Sequence, residues 1–122
     1  MLVGVDIVDI DRIRVAAART PRFLTRVFTP GEIAYCRGKA DPFPSLAARF
    51  AAREAVRKLD PAFITGVTFH DTEVVVDANG KPRLVLHGQA LAGARAAGIR
   101  DLALSLSHSR GQAIAVVIAG KE

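Results

Sequence analysis

Two spacings of apolar residues run through the chain, one typical of strands and one typical of helices. Near its start, β-branched residues stand at every second position, which predicts a strand with two different faces. One face carries Val3, Val5 and Ile7, and the other carries Gly4 and Asp6. A carboxylate in such a strand costs free energy unless it is paired, hydrogen-bonded or bound to a cation. Asp6 is therefore expected to have a partner.

Helical spacing follows the strand. Asp9 can cap a first helix, and Pro21 separates that helix from a second, shorter one. Thr29-Pro-Gly-Glu32 then has the form of a capping box with proline at the first helical position. We predict helices over residues 9–19, 23–28 and 29–38, with a loop over 39–44.

An alanine-rich segment over residues 45–59 forms the predicted central helix. Its apolar arc consists of Ala48, Ala52, Ala55, Val56 and Leu59. Glu54 and Lys58 lie one turn apart beside small residues, which gives a shallow floor bearing a carboxylate and an amine. The plainer interpretation is an amphipathic core helix with a Glu54/Lys58 pair and a solvated stripe of Arg49, Arg53 and Arg57.

The second half of the chain alternates strands, turns and one helix. Asn79-Gly80 marks the tip of a hairpin over residues 72–87, and Gly98 ends a helix over 89–97. Residues 102–108 alternate as a strand, and the nearly continuous apolar run over 112–119 predicts a central strand. The fold class is therefore α+β, a mostly antiparallel sheet with packed helices, in a single domain over 1–122.

Composition limits the partners and the compartment. The net charge of +5 and a pI of about 10.1 favour an anionic substrate or partner. Cys36 is the only cysteine, so the chain has no internal disulfide and no cysteine-based zinc site, which is consistent with a reducing compartment. The strand-like run after Met1 is broken by Asp6 and is too short for a signal sequence, so we expect none, and no apolar stretch is long enough to cross a bilayer. We expect a cytoplasmic protein that is not bound to membranes.

An arginine stripe follows the first strand, and no acidic residue falls between Arg12 and Gly31. The stripe consists of Arg12, Arg19, Arg22 and Arg26, whereas Arg14 points about 200° away from Arg12. Like charges repel one another, so this pattern indicates an acidic docking partner. A small nucleic-acid-binding module is the alternative, but with 6% aromatic residues and no tryptophan the chain lacks stacking platforms.

Two further groups of polar residues suggest phosphate and metal chemistry. His108 ends a serine-rich strand and Arg110 follows it, so a phosphate can be held there, or the serines can satisfy their own turn. Asp6 and Glu54 are hard oxygen ligands, too few for a calcium cage but suited to Mg²⁺ that keeps waters and binds a substrate diphosphate. Walker, Rossmann and Gly-x-Ser-x-Gly signatures are absent.

Four motifs together resemble, in order and spacing, those of the holo-acyl-carrier-protein synthases, the small 4′-phosphopantetheinyl transferases. They are Gly4-Val-Asp-Ile-Val-Asp-Ile-Asp-Arg-Ile13, Arg49-Phe-Ala-Ala-Arg-Glu-Ala-Val-Arg-Lys58, Asn79-Gly-Lys-Pro82 and Leu104-Ser-Leu-Ser-His-Ser109. The resemblance implies that family's fold. It also implies Mg²⁺-dependent transfer of 4′-phosphopantetheine from coenzyme A to a serine of apo-acyl carrier protein, with release of 3′,5′-ADP, in fatty acid biosynthesis.

The resemblance also assigns the reaction centre. Asp6 and Glu54 match metal-binding carboxylates, and Lys58 matches the lysine one turn later. A serine hydroxyl would attack the β-phosphate, and its proton acceptor is Glu54, a metal-bound water or His108. We therefore expect Glu54, Lys58 and His108 to be catalytic.

Coenzyme A contacts follow from the same resemblance. Arg49, His108 and Ser109 match phosphate contacts, and Lys81 and Pro82 match the turn beside the adenine. Arg53 belongs to the expected cofactor-binding set and stands where the family often has lysine, which keeps the charge but changes its reach. The family implies a homotrimer with sites between subunits, and an acyl carrier protein docked on the arginine stripe.

Overall fold

The computed structural model describes residues 1–122 and contains five strands and five α-helices. In chain order they are β1 (Leu2–Asp9), α1 (Ile10–Arg19), α2 (Phe23–Val27), α3 (Pro30–Arg37), α4 (Phe43–Arg57), β2 (Thr72–Val76), β3 (Pro82–Leu86), α5 (Gly88–Ala97), β4 (Ile99–His108) and β5 (Gln112–Lys121). Two 3₁₀ turns, Pro61–Phe63 and Phe69–Asp71, lie between α4 and β2. No helix combines the length and the apolar character that a membrane crossing requires.

All strand pairs are antiparallel, and β5 is the central strand of a three-stranded sheet ordered β1-β5-β4. β2 and β3 form the separate hairpin that Asn79-Gly80 predicted. The α+β class, the central position of β5 and the hairpin are confirmed. The region before the hairpin contains less strand than residues 66–77 predicted, because a 3₁₀ turn occupies Phe69–Asp71.

Helix α4 packs on the sheet through small residues. Ala47, Ala51, Ala52 and Ala55 are completely buried. The helix approaches β1 so closely that a Cβ on Gly4 would collide with the carbonyl oxygen of Ala55. This close approach brings the Asp6 side of β1 next to the end of α4.

In β1 the β-branched face is exposed and the other face is buried, which is the reverse of a simple core strand. Gly4 and Val8 face the interior, whereas the β-branched face is exposed: Val3 by 64%, Val5 by 48% and Ile7 by 56%. On the neighbouring β5, Val116 and Ile118 are each 37% exposed. We call these five residues the sheet face; contiguous exposed apolar surfaces of this kind often bind another protein.

The structure contradicts the cap predicted for α1 and confirms the capping box predicted for α3. Asp9 occupies the cap position of α1 but makes no capping hydrogen bond; its carboxylate accepts from Gln112 Nε2 at 3.1 Å instead. The capping box of α3 is confirmed by reciprocal bonds between Thr29 and Glu32. Glu32 also accepts from the Val74 amide at 2.9 Å, which ties α3 to β2. Burial raises the pKa of Glu32, and the two backbone N–H donors oppose that rise.

Candidate functional site

Helix α4 borders two separate depressions, one near its start and one near its end. The first, of about 150 Å³, is lined by Tyr35, Lys39, Ser45, Ala48, Arg49, Val76, Gly80, Pro82, Leu106, Ser107 and His108. We call it the Arg49 cleft. It brings together three motifs that are far apart in the sequence: the central helix, the hairpin turn and the end of β4. Arg49, Pro82 and His108 were expected to share a ligand, and they do line one surface.

Arg49 lies at the inner wall of this cleft and is only 6% exposed. Its guanidinium carbon is 4.7 Å from the centroid of the Tyr35 ring, and Nη1 donates to the Ser45 carbonyl at 3.1 Å. The buried Nε has no hydrogen-bond partner within the chain. A buried guanidinium with spare donors beside an open cleft is suited to bind an anion.

Tyr35 and Lys39 belong to this cleft, although the sequence analysis did not select them. Lys39 Nζ lies 4.9 Å from the Tyr35 ring centroid, so the ring contacts two cations. Tyr35 is the only tyrosine, and Lys39 follows it at helical i, i+4 spacing. This spacing of an aromatic and a basic residue could have pointed to them in the sequence, but only the fold shows that the pair faces Arg49.

The second depression, of about 290 Å³, is lined by Asp6, Glu54, Arg57, Lys58 and Ile64. We call it the Asp6 depression. It joins the first strand to the end of α4 and brings both expected metal-binding carboxylates to one surface. Ile64 was not expected here; it is 44% exposed in the loop after the first 3₁₀ turn.

Ion pairs in the Asp6 depression differ from those that the helix pattern predicted. Lys58 Nζ bonds to Asp6 Oδ1 at 2.9 Å and to the Val5 carbonyl at 2.9 Å, so it pairs with the strand and not with Glu54. Glu54 pairs with Arg53 at 3.0 Å and with Arg57 at 3.7 Å. Asp6 therefore has a partner, as the sequence analysis expected, and this partner is Lys58. The plainer interpretation is right that α4 is an amphipathic core helix, but its Glu54/Lys58 pair is wrong.

The solvated-stripe interpretation of the three α4 arginines is also wrong. Arg53 is 9% exposed and its guanidinium carbon lies 3.9 Å from the centroid of the Phe69 ring. Burial lowers the pKa of Arg53, and the Glu54 carboxylate opposes that change. Only Arg57 keeps a largely accessible side chain, at 41%. Arg53 lines neither of the two depressions.

The donor set of the Asp6 depression fits a magnesium ion. Asp6 and Glu54 supply hard oxygens with accessible side-chain fractions of 18% and 29%. Nowhere in the chain do three or more metal-binding side chains cluster. Two carboxylates without a third protein ligand match a Mg²⁺ site that is completed by water and substrate phosphate. Residues Asp6 and Glu54 would hold the ion.

The two remaining predicted coenzyme A contacts, Ser109 and Lys81, lie next to residues that line the Arg49 cleft. Ser109 is exposed, and its amide donates to the Gln112 carbonyl at 2.9 Å in the turn after β4. Lys81 is exposed in the hairpin turn, and its amide donates to Asp77 Oδ1 at 2.9 Å. Neither lines the Arg49 cleft, although their neighbours His108 and Pro82 do.

The arginine stripe lies on the exposed surface of α1 and α2. Arg12, Arg19, Arg22 and Arg26 are exposed, and none of them forms an ion pair within the chain. Arg14 differs, since it bonds to Asp41 at 2.9 Å and stacks 4.7 Å from the Phe43 ring centroid. The four guanidinium groups give this surface a positive charge that no carboxylate of the chain neutralises, and Arg12 also lies 6.0 Å from the centroid of the Phe50 ring.

Comparisons with known proteins identify the family of the chain. Residues 2–117 match the 4′-phosphopantetheinyl transferase superfamily. A holo-[acyl-carrier-protein] synthase of Moorella thermoacetica is 43% identical over 94% of this chain and 90% of its own. The enzyme of the same name from Frankia casuarinae is 48% identical over 96% of this chain and 94% of its own.

Solved structures give the same result. A Chronobacterium ammoniagenes ACPS-CoA complex superposes with a TM-score of 0.86 at 30% identity, covering 99% of this chain and 97% of that one. A Helicobacter pylori holo-[acyl-carrier-protein] synthase in complex with coenzyme A superposes with a TM-score of 0.78 at 31% identity, covering 98% and 100%. The family match over nearly the whole chain and the convergence of its motifs on α4 show that this protein belongs to the 4′-phosphopantetheinyl transferase superfamily.

Proposed function

We propose that this holo-[acyl-carrier-protein] synthase binds the nucleotide end of coenzyme A in the Arg49 cleft and performs transfer at the Asp6 depression. The product pair is holo-acyl carrier protein and 3′,5′-ADP. The observation that carries the assignment is the convergence of Arg49, Pro82 and His108 on one cleft. Two relatives of the same fold have been solved with coenzyme A, which supports this ligand for the cleft.

The two depressions divide the reaction between binding and transfer. In the Arg49 cleft, Arg49, Lys39 and His108 neutralise phosphate charge, and the ring of Tyr35 supports the two cations. In the Asp6 depression, Lys58 orients Asp6, and its ammonium stabilises charge that develops on the departing phosphate. Mg²⁺, when bound at Asp6 and Glu54, supplies Lewis-acid stabilisation of phosphate oxygens.

In the proposed transfer, a new bond forms between the serine oxygen of the carrier protein and the β-phosphorus of coenzyme A. The bond to the 3′,5′-ADP oxygen breaks, and the serine proton passes to the Glu54 carboxylate. We assign this proton to Glu54, whose carboxylate lines the Asp6 depression, and we assign His108 to phosphate binding in the Arg49 cleft.

A direct test compares Arg49→Gln with the wild type. We expect KM for coenzyme A to rise about 10-fold to 100-fold, since a hydrogen bond to a charged group contributes about 1.5–3 kcal/mol. Transfer of labelled coenzyme A to apo-carrier protein measures the effect. Arg95→Gln, an exposed arginine on α5 outside both depressions, is the matched control. Wild-type protein that is stabilised by an oligonucleotide but not by coenzyme A with Mg²⁺ would favour the nucleic-acid module instead.

The sheet face supports a homotrimer. Five apolar side chains, Val3, Val5, Ile7, Val116 and Ile118, are exposed on adjacent strands β1 and β5, and a monomer gains nothing from that arrangement. A second and third copy of the chain would cover them. The single buried cysteine, Cys36, supports a reducing and therefore cytoplasmic location, as expected for an enzyme of fatty acid biosynthesis.

The arginine stripe is proposed to dock the acidic acyl carrier protein. Arg19→Glu combined with Arg22→Glu should raise KM for carrier protein many-fold, leave KM for coenzyme A nearly unchanged and weaken the salt dependence of the reaction. Exposed charges that guide encounter act mainly on association and are screened over about 8–10 Å at physiological ionic strength. Kinetics at several salt concentrations measure all three quantities.

Arg14→Glu is the control for this docking surface. Its side chain is already paired with Asp41, so we expect a smaller rise in KM for carrier protein. A rise in KM for coenzyme A in the Arg19/Arg22 variant would instead assign the stripe to nucleotide binding, and the docking proposal would be wrong.

A further inference from the structure

Arg53 is the residue that the proposed mechanism has not used, and its surroundings are unusual. Its side chain is 11% exposed, its Nε is buried without a hydrogen-bond partner, and its only ion pair is with the adjacent Glu54. Removing a guanidinium from water costs several kcal/mol unless the remaining interactions offset it. Apart from an aromatic contact with Phe69, the guanidinium bonds only to the adjacent Glu54, which indicates a role at that carboxylate.

Phe69 fixes the position of this guanidinium. The Arg53 guanidinium carbon lies 3.9 Å from the Phe69 ring centroid, close enough for a strong stacking contact. The ring belongs to the 3₁₀ turn Phe69–Asp71, which is held by reciprocal capping bonds between Thr68 and Asp71. His70, next in the chain, contacts the Thr25 carbonyl at 2.9 Å, which attaches the turn to α2. The platform beneath Arg53 is therefore held at both ends.

The contacts on Glu54 are one-sided. Arg53 Nη1 lies 3.0 Å from Oε2, and Arg57 Nη1 lies 3.7 Å from the same oxygen. Oε2 is the nearest carboxylate oxygen to both cations, and it accepts the hydrogen bond from Arg53 Nη1, whereas no hydrogen bond reaches Oε1. A carboxylate held through one oxygen presents the other in a fixed direction. Arg53 makes the shorter contact and is the more buried of the two, so it decides the orientation.

We infer that Arg53, stacked on Phe69, is a positioning residue that holds the Glu54 carboxylate in its working orientation in the Asp6 depression. This inference deepens the proposed function and rests on it. It reassigns Arg53 from a coenzyme A contact to a contact of the carboxylate. It also explains arginine at this position: lysine has no planar group to stack on the ring, and its single ammonium is held less firmly.

The principal test is Arg53→Met, which keeps the buried length and an apolar contact with Phe69 but removes the donor. We expect kcat and the affinity of the substrate-free protein for Mn²⁺ each to fall about 10-fold to 100-fold, as when the supporting partner of a metal ligand is removed. KM for coenzyme A should change little. Mn²⁺ binding is measured by electron paramagnetic resonance, independently of catalysis, and circular dichroism measures the folded fraction.

Three further variants and one surface control separate the possible roles of Arg53. Arg53→Lys restores a cation and should recover part of both losses, while Phe69→Leu keeps the guanidinium without its platform and should show an intermediate loss. Arg57→Met removes the longer, more accessible contact and should lose less than Arg53→Met. Arg95→Met on the exposed surface of α5 should match the wild type.

Several outcomes overturn the inference. If Arg53→Met raises KM for coenzyme A and leaves Mn²⁺ affinity and kcat unchanged, Arg53 contacts the substrate directly. If it lowers only the melting temperature, with normal Mn²⁺ affinity per folded molecule, its role is structural. If Arg53→Met does not fold, the Phe69→Leu and Arg53→Lys variants replace it in the test. Unchanged Mn²⁺ affinity in both of them would mean that the role of Arg53 is structural. Absence of transfer by the wild type would overturn the proposed function, whereas the Mn²⁺ measurements would still test Arg53.

Discussion

Replacing Asp6 by asparagine or Glu54 by glutamine is expected to abolish transfer of 4′-phosphopantetheine while leaving the fold intact. Each change removes a charged oxygen ligand without removing core volume. Loss of about 3 kcal/mol or more of transition-state stabilisation lowers the rate more than about a hundredfold. The measurement is transfer from labelled coenzyme A to apo-carrier protein with Mg²⁺ present, alongside thermal unfolding of each variant.

The choice of glutamine at position 54 follows from the surroundings. Alanine would leave the buried Arg53 guanidinium without its ion-pair partner, and an uncompensated buried charge destabilises a fold by about 3–5 kcal/mol. Glutamine retains an oxygen that accepts from Arg53. At position 6 the partner is Lys58, which is 55% exposed, so alanine and asparagine should both be tolerated by the fold.

The chelated enzyme provides the decisive control. Without divalent cation we expect no transfer, and added Mg²⁺ or Mn²⁺ should restore it in the wild type but not in the Asp6 and Glu54 variants. Full activity in chelator would refute the metal assignment. Loss of activity together with loss of folding would mean that the two carboxylates are structural.

The elements of the fold were largely predictable from local pattern. The alternation around Asp6, the Thr29/Glu32 capping box and the Asn79-Gly80 turn each specify backbone geometry within a few residues, and the structure has all three. Hydrophobic continuity of β5 correctly predicted its central position. Short-range signals of this kind are enough when the interactions that determine an element are themselves short-range.

Side-chain partners in the candidate site were less predictable, because they depend on which elements meet. Helical spacing paired Glu54 with Lys58, but the close approach of β1 gave Lys58 a nearer carboxylate in Asp6. The same spacing made Arg49 and Arg53 a solvated stripe, whereas Tyr35 and Phe69 cover them with aromatic rings from distant parts of the chain. No period within α4 contains that information.

The separation of the two depressions leads to a second prediction of large effect. They share no lining residue within one chain: His108 lines the Arg49 cleft, and Asp6 lines the other. We therefore propose that transfer takes place where the Asp6 depression of one protomer meets the Arg49 cleft of the next. The exposed sheet face provides the apolar surface for such an assembly.

Mixed assemblies test this arrangement. Asp6→Asn chains should be inactive alone, and His108→Ala chains should be nearly inactive at coenzyme A concentrations far below their raised KM. Co-refolding the two should restore activity under the same conditions. In a ring with head-to-tail sites and equal random mixing, about a quarter of the sites combine an intact Asp6 with an intact neighbouring His108. The expected recovery is therefore up to about a quarter of wild-type activity per site, measured by the same transfer assay after size-exclusion chromatography.

A charge on the sheet face supplies the control for assembly. Val116→Lys places an ammonium among apolar neighbours, so it should prevent the protomers from associating, and an unpaired charge at a desolvated interface costs several kcal/mol. When both inactive chains also carry Val116→Lys, co-refolding should yield no activity and a smaller species on sedimentation. If the original pair assembles normally but no activity returns, Asp6 and His108 serve the same chain's substrate, and the site does not extend across protomers.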